Sequence, residues 1–102
     1  MKAIKVCIID DHSVVRMGLK YMLSYIPDVE CVDEASGGEG AAAFVRGCGA
    51  DVTLLDVRMP GVDGIAALDE ILSDNPDAKV IMLSTSDAEG ETVTESVAVT
   101  AV

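Results

Sequence analysis

The sequence predicts an α/β fold, a doubly wound parallel sheet with helices on both faces. Three observations carry that expectation. Short β-rich apolar runs occur at residues 4–9, 51–56 and 79–84. Between them lie stretches whose apolar positions recur at helical spacing. The strand starts, near residues 4, 29, 51 and 79, fall about 25 residues apart, room for one strand, one helix and their loops. Single helices between strands imply βαβ crossovers, which make successive strands parallel.

Each element follows from its residues. Ile4 to Ile9 (IKVCII) is a continuous β-rich run that stops at Asp10 and Asp11. From Ser13 to Ile26, Val15, Leu19, Met22 and Ile26 mark one helical face, with Ser13 as N-cap and Pro27 ending the helix. Residues 29–35 alternate around Val29, Cys31 and Val32 as a weaker strand. Gly37 to Gly49 encloses a short helix in AAAFVR. Asp51 to Asp56 (DVTLLD) is the third strand, and Pro60, Gly61 and Gly64 supply turn chemistry after it. Ile65 to Leu72 is amphipathic and is closed by Asn75-Pro76; Lys79 to Ser84 (KVIMLS) is the fourth strand. A fifth strand at the same spacing would begin near residue 104, beyond the 102 residues.

Composition narrows the function. Half of the residues are hydrophobic, enough for one folded domain, and 18 Asp+Glu against 7 Lys+Arg give a formal charge of −11. Such a chain repels nucleic-acid phosphates and anionic lipid, so neither is an expected direct partner. No apolar stretch is long enough to span a bilayer, and the N-terminal apolar run ends in two acids, unlike a secretory signal. Cys7, Cys31 and Cys48, odd in number and without a CxxC spacing, read as reduced thiols of a cytoplasmic protein.

In a parallel α/β sheet, ligands bind outside the carboxyl ends of the strands. Here the first strand ends at Asp10-Asp11, the third at Asp56 and the fourth at Ser84. Two carboxylates about 5 Å apart repel by roughly 3 kcal/mol at an effective dielectric near 20, so three together call for a cation or shared protons. Oxygen donors of this kind suit Mg2+, which keeps several waters and takes one or two carboxylates plus phosphate oxygens. A metal-assisted phosphoryl site is the expectation.

These residues also carry a family resemblance. IIDDHSVVRMGL at 8–19, LLDVRMPGVDG at 54–64 and VIMLST at 80–85 resemble a receiver domain of two-component response regulators, most closely the NarL/FixJ type. The resemblance implies a flavodoxin-like (βα)5 receiver fold whose last βα unit is missing or altered here. It makes residues 1–102 one receiver domain, conventional over 3–90 and divergent over 91–102, with the DNA-binding domain that usually follows such receivers outside these residues. It implies that Asp56 accepts a phosphoryl group from a phosphohistidine on a sensor histidine kinase. Mg2+ would be held by Asp11 directly, by Asp10 through water, by Asp56 and by the backbone carbonyl of Arg58. Ser84 would be the switch hydroxyl that meets the phosphoryl oxygen. Pro60 and Gly61 would shape the metal-facing loop, and Arg58 and Ser86 would tune dephosphorylation. Such a domain catalyses its own phosphorylation and dephosphorylation and turns over no outside substrate.

Two departures from the family stand out. Receivers carry a lysine at the end of the fifth strand, but the lysines here are Lys2, Lys5, Lys20 and Lys79; Lys5 and Lys79 fall near the amino ends of strands, roughly 17 Å from the site edge. Arg16 or Arg58 is a weak substitute. After Asp87 to Gly90, which reads as a helix start, comes ETVTESVAVTAV, where Val97, Val99 and Ala101 alternate as in a strand. Without a fifth helix, one sheet face and part of the first helix would be bare, so a homodimer or an exchange of tails between chains is expected.

The remaining residues favour plainer roles. His12 reads as a solvated neighbour of the acids rather than a ligand, and Met17, Met22, Met59 and Met82 as gap-filling core or loop residues. Two readings compete with the phospho-switch. One is a pseudo-receiver, an interaction module that keeps the acids but does not switch stably. The other is a phosphohydrolase with an aspartate nucleophile, disfavoured because the first strand carries DD rather than DxD.

Overall fold

The computed structural model describes residues 3–59, 61–86 and 96–101, with residues 84–86 and 96–101 described by their backbone. Eight elements run β1 (Ile4–Ile9), α1 (Ser13–Leu23), β2 (Val29–Ala35), α2 (Ala41–Cys48), β3 (Val52–Asp56), α3 (Gly64–Asp74), β4 (Val80–Ser86) and β5 (Ser96–Ala101). The sheet order is β2-β1-β3-β4-β5. β1 pairs in parallel with β2 and β3, and β3 with β4. The doubly wound parallel α/β fold expected from the strand spacing, flavodoxin-like by the resemblance, is therefore present over its first four strands.

Alternation along the strands sorts the core into two layers. Ile9, Leu55, Val80 and Met82 meet Ala41, Ala67 and Ile71 from α2 and α3, with Phe44 and Val45 packed alongside. On the other face Val6, Ile8, Leu54 and Leu83 meet Leu19 and Leu23 of α1. Ile8 and Ile9, Leu54 and Leu55, and Met82 and Leu83 thus point to opposite faces, as the pleat dictates. Each fully buried Leu or Ile contributes about 1.5–3 kcal/mol relative to exposure.

The helices differ from the sequence expectation at their ends. α1 stops at Leu23, not Ile26, because the Ser24 hydroxyl and amide both turn back on last-turn carbonyls, the hydroxyl to Tyr21 O at 2.5 Å. Asp28 then takes a left-handed φ of 65° that starts the return into β2. Ser13 is not the N-cap; His12 occupies that position in extended conformation without a side-chain cap bond. α2 is bracketed by left-handed Gly40 and Gly49, which the glycines permit without steric cost. α3 starts one residue earlier than expected because Asp63 caps it, accepting from Ala66 N at 2.9 Å.

The last strand departs most. β4 runs two residues past Ser84, and β5 pairs with it antiparallel, Leu83 opposite Val99. Nine residues separate Ser86 from Ser96, fewer than the dozen or more that a parallel crossover needs. The alternation of Val97, Val99 and Ala101 does mark a strand, in the direction that a short connection allows. The helix start expected at Asp87 to Gly90 lies outside the described residues.

Burial corrects the methionine reading. Met59 and Met82 are buried, but Met17 and Met22 on α1 are exposed, together with Val14, Tyr21 and Tyr25. The inward stripe of α1 is Leu19 and Leu23, so Met22 and Ile26 do not belong to it. The three cysteines are free; Cys7 is buried against the Thr53 hydroxyl at 3.3 Å, and Cys31 and Cys48 are half-buried.

Candidate functional site

β1 and β3 are adjacent and in register, Ile9 beside Leu55, so the residues that follow them emerge together at the carboxyl edge. Asp10 follows β1 and is 1% exposed; Asp56 ends β3 and is fully buried. Asp11 lies beside them on the loop into α1. One ligand atom from each of Asp10, Asp11, His12 and Asp56 falls within 4.8 Å of all the others.

Local turns aim these groups. Asp10 Oδ1 accepts from the His12 amide at 2.7 Å and from the His12 ring at 3.1 Å. Asp56 Oδ1 accepts from the Arg58 amide at 3.1 Å. Both are Asx-type contacts two residues along the chain, which fix one carboxylate oxygen and leave the other free. Asp10 Oδ2, Asp11 Oδ1 and Asp56 Oδ2 are then buried without a hydrogen-bond partner. Three such oxygens in one pocket are costly unless something positive meets them. Burial pushes the Asp56 carboxyl above its ordinary range, and the negative charge of Asp10 and Asp11 adds to the push. His12 is raised as well, chiefly by its hydrogen bond to Asp10.

Hard, unpartnered carboxylate oxygens are the donor set that a divalent cation such as Mg2+ takes. The residues fit that ion.

The structure brings Asp10, Asp11 and Asp56 together as the strand ends imply. Arg58 contributes a backbone amide to Asp56. Gly61 takes a φ of 78°, open to glycine, which gives the loop its turn. Pro60 lies outside the described residues, as do the side chains of Ser84 and Ser86. The backbone of Ser84 follows Leu83, which pairs with Asp56 across β3 and β4 and accepts from Val57 N at 2.9 Å. Among the described lysines, Lys5 lies at the start of β1, Lys79 just before β4, and Lys20 is paired with Glu34.

Three contributors were not legible beforehand. Arg16 Nη1 donates to the Asp10 carbonyl at 2.5 Å while its Nε holds Glu34 at 2.8 Å, so it braces the site from behind rather than facing it. Gly64 backs onto the Asp56–Val57 peptide so closely that a Cβ would sit 2.2 Å from the Asp56 carbonyl oxygen. His12 is half exposed, as a solvated neighbour would be, but its Nδ1 lies over the acids, 3.0 Å from Asp11 Oδ1 and 3.6 Å from Asp56 Oδ2. The two-residue spacing of an Asx turn, Asp10 to His12, was the available signal.

Comparison with known proteins supplies a family and a fold. The family model described as the response regulator receiver domain matches residues 6–102. The nitrate/nitrite response regulator protein NarL of Escherichia coli is 35% identical over 89 residues, 87% of this chain and 41% of that protein. The chain therefore spans about two-fifths of the length of that relative. The response regulator domain of Thermotoga maritima CheB superposes with a TM-score of 0.77 at 34% identity, covering 89% of this chain and 67% of that one. The isolated REC domain of Salmonella enterica RcsB, solved in the presence of the phosphomimetic BeF3-, gives a TM-score of 0.75 at 28% identity, covering 83% and 64%.

Proposed function

We propose that this chain, which belongs to the response regulator receiver domain family of two-component systems, takes a phosphoryl group onto Asp56 from a sensor histidine kinase and switches conformation in response. The observation that carries the proposal is the buried Asp56 Oδ2, unpartnered and facing two further carboxylates at the carboxyl edge of the sheet. In the transfer, an Asp56 oxygen bonds to phosphorus as the phosphorus–nitrogen bond of the phosphohistidine breaks. The leaving imidazole keeps the electron pair and takes up a proton. The product is an acyl phosphate on Asp56.

Each residue then has a task. The Arg58 amide fixes Asp56 Oδ1, which leaves Oδ2 as the attacking atom, a gain in orientation. Asp10, Asp11, Asp56 and the Arg58 carbonyl would hold Mg2+. When bound, Mg2+ neutralises charge on the transferring group. Pro60 and Gly61 shape that loop, Ser84 meets the phosphoryl oxygen, and Arg58 and Ser86 set the dephosphorylation rate. That a related REC domain was solved with a phosphomimetic supports the reading.

At larger scale, we take residues 1–102 as one receiver domain, conventional over 3–90 and divergent over 91–102, working in the cytoplasm. Its output is transcription, through a DNA-binding domain. The exposed apolar residues of α1 support a homodimer or tail exchange.

One feature favours a second reading. The lysines of the sequence are residues 2, 5, 20 and 79, and the described ones sit at the amino edge or pair with Glu34. A pseudo-receiver that binds cation and partners without a lasting switch would look the same. Incubation with Mg2+ and a small phosphodonor, followed by intact mass measurement, separates the two. Gain of one phosphoryl group, lost in Asp56→Asn, supports the switch. Mg2+ binding with no gain supports the pseudo-receiver.

A further inference from the structure

We infer that Arg16 is a positioning residue for the pocket: anchored by Glu34 at the end of β2, its guanidinium holds the Asp10–Asp11 peptide so that both carboxylates are set for a cation. The inference rests on the cation-site reading above and adds the group that sets how tightly the ion is held. The Arg16 side chain is 15% exposed. Its Nη1 donates to the Asp10 carbonyl at 2.5 Å and its Nε to Glu34 Oε1 at 2.8 Å. One planar group thus joins the loop after β1 to the end of β2.

Three hydrogen bonds close that loop on itself. The His12 amide donates to Asp10 Oδ1 at 2.7 Å, the Arg16 amide donates to the His12 carbonyl at 3.0 Å, and the Arg16 side chain returns to the Asp10 carbonyl. The Asp10 amide donates to the Ala35 carbonyl at 3.0 Å, one residue beyond Glu34. Asp10 is therefore held at its amide, its carbonyl and Oδ1, which leaves Oδ2, buried in the pocket without a partner. The same peptide carries Asp11, whose Oδ1 is likewise buried without a partner. Because the Arg16 bond comes from a side chain outside the donor set, a substitution can remove it without touching a ligand.

Charge and position predict opposite signs. A guanidinium near the pocket repels a cation, so its removal strengthens cation binding if its field is what counts. If it holds the peptide, its removal lets the two carboxylates drift and weakens binding. Groups that orient a metal's ligands contribute about 10–100-fold in affinity. Lysine is a poor replacement, because an ammonium is a point charge without the rigid fork that serves both acceptors.

Calorimetric titration of the full chain with Mg2+, paired with thermal melts without metal, tests the role. Arg16→Met should weaken Mg2+ by about tenfold or more, and Arg16→Lys should remain at least about threefold weaker than wild type. Lys20→Met removes a nearby positive charge that pairs with the other oxygen of Glu34, and should change Mg2+ affinity by less than about twofold. Glu34→Ala should weaken Mg2+ as Arg16→Met does and add little to it in the double variant, since both break one chain of contacts. A merely structural Arg16 would lower the melting temperature and leave Mg2+ affinity unchanged. Equal or tighter Mg2+ binding by Arg16→Met, full recovery in Arg16→Lys, or an equal loss in Lys20→Met overturns the positioning role and leaves the cation site intact. Where Arg16→Met melts too low to titrate, unchanged affinity in Glu34→Ala overturns it in the same way. A wild type that binds Mg2+ no more tightly than Asp11→Asn overturns the cation-site reading, and the inference with it.

Discussion

A Cβ on Gly64 would approach the Asp56 carbonyl oxygen to 2.2 Å and Val57 Cα to 2.5 Å. Both are backbone atoms, so no side chain can swing away. The close approach lets α3 start directly behind Asp56, with Gly64 N donating to Val57 O at 3.0 Å. Gly64→Ala should destabilise the fold by at least about 1–3 kcal/mol, the usual cost of overpacking. A urea unfolding midpoint equal to wild type would contradict this. Asp10, Asp11 and Asp56 could be named from the sequence because each marks the end of a β-rich run. Gly64 could be read only as a turn residue, since the contact that demands glycine is tertiary. The orientation of His12 follows instead from a local Asx turn on Asp10, whose two-residue spacing was its signal in the sequence.

On the scale of elements, α1 is tied to β2 through charge. Arg16 and Lys20, one helical turn apart and so on one face, both reach Glu34. Lys20 first and Arg16 second hold the Glu34 carboxyl below its ordinary range. A depressed carboxyl contributes stability that is present above its unfolded pKa and lost as pH falls through the folded one. Glu34→Gln should therefore cost a few tenths to about 1 kcal/mol at neutral pH, the range for partly exposed pairs. Wild type and variant should converge as pH drops below the glutamate range. A difference that persists at low pH in thermal melts would show that packing, not charge, ties the elements. β1 and β2 were legible to the residue because their β-rich runs are bounded by turn-forming or charged neighbours. The end of α1 was not, because Ser24 competes for the last carbonyls while the apolar periodicity runs on to Ile26. The direction of β5 depends on loop length rather than on propensity, which is why alternation alone revealed a strand but not its partner geometry.

Seen as a whole, the molecule has two unequal faces. α2 and α3 cover one side of the sheet with a core from Ile9 to Met82, while α1 covers the other with Leu19 and Leu23. Val14, Met17, Tyr21, Met22 and Tyr25 of this region are exposed in a chain whose net charge is −11. Sedimentation velocity should show concentration-dependent dimer formation that Met17→Ser with Tyr21→Ser abolishes; a wild type that stays monomeric across concentration would remove the homodimer from the account. The acidity itself now has a partial location, with three of the 18 acids in one pocket. The central claim is that Asp56 is the phosphoacceptor, and reductive trapping tests it most directly. Protein treated with Mg2+ and a small phosphodonor is reduced with borohydride, which converts an aspartyl phosphate to homoserine, and the peptides are sequenced by mass spectrometry. The account predicts homoserine at position 56, dependent on Mg2+. Homoserine at position 10 or 11 instead, or no conversion anywhere, would contradict it.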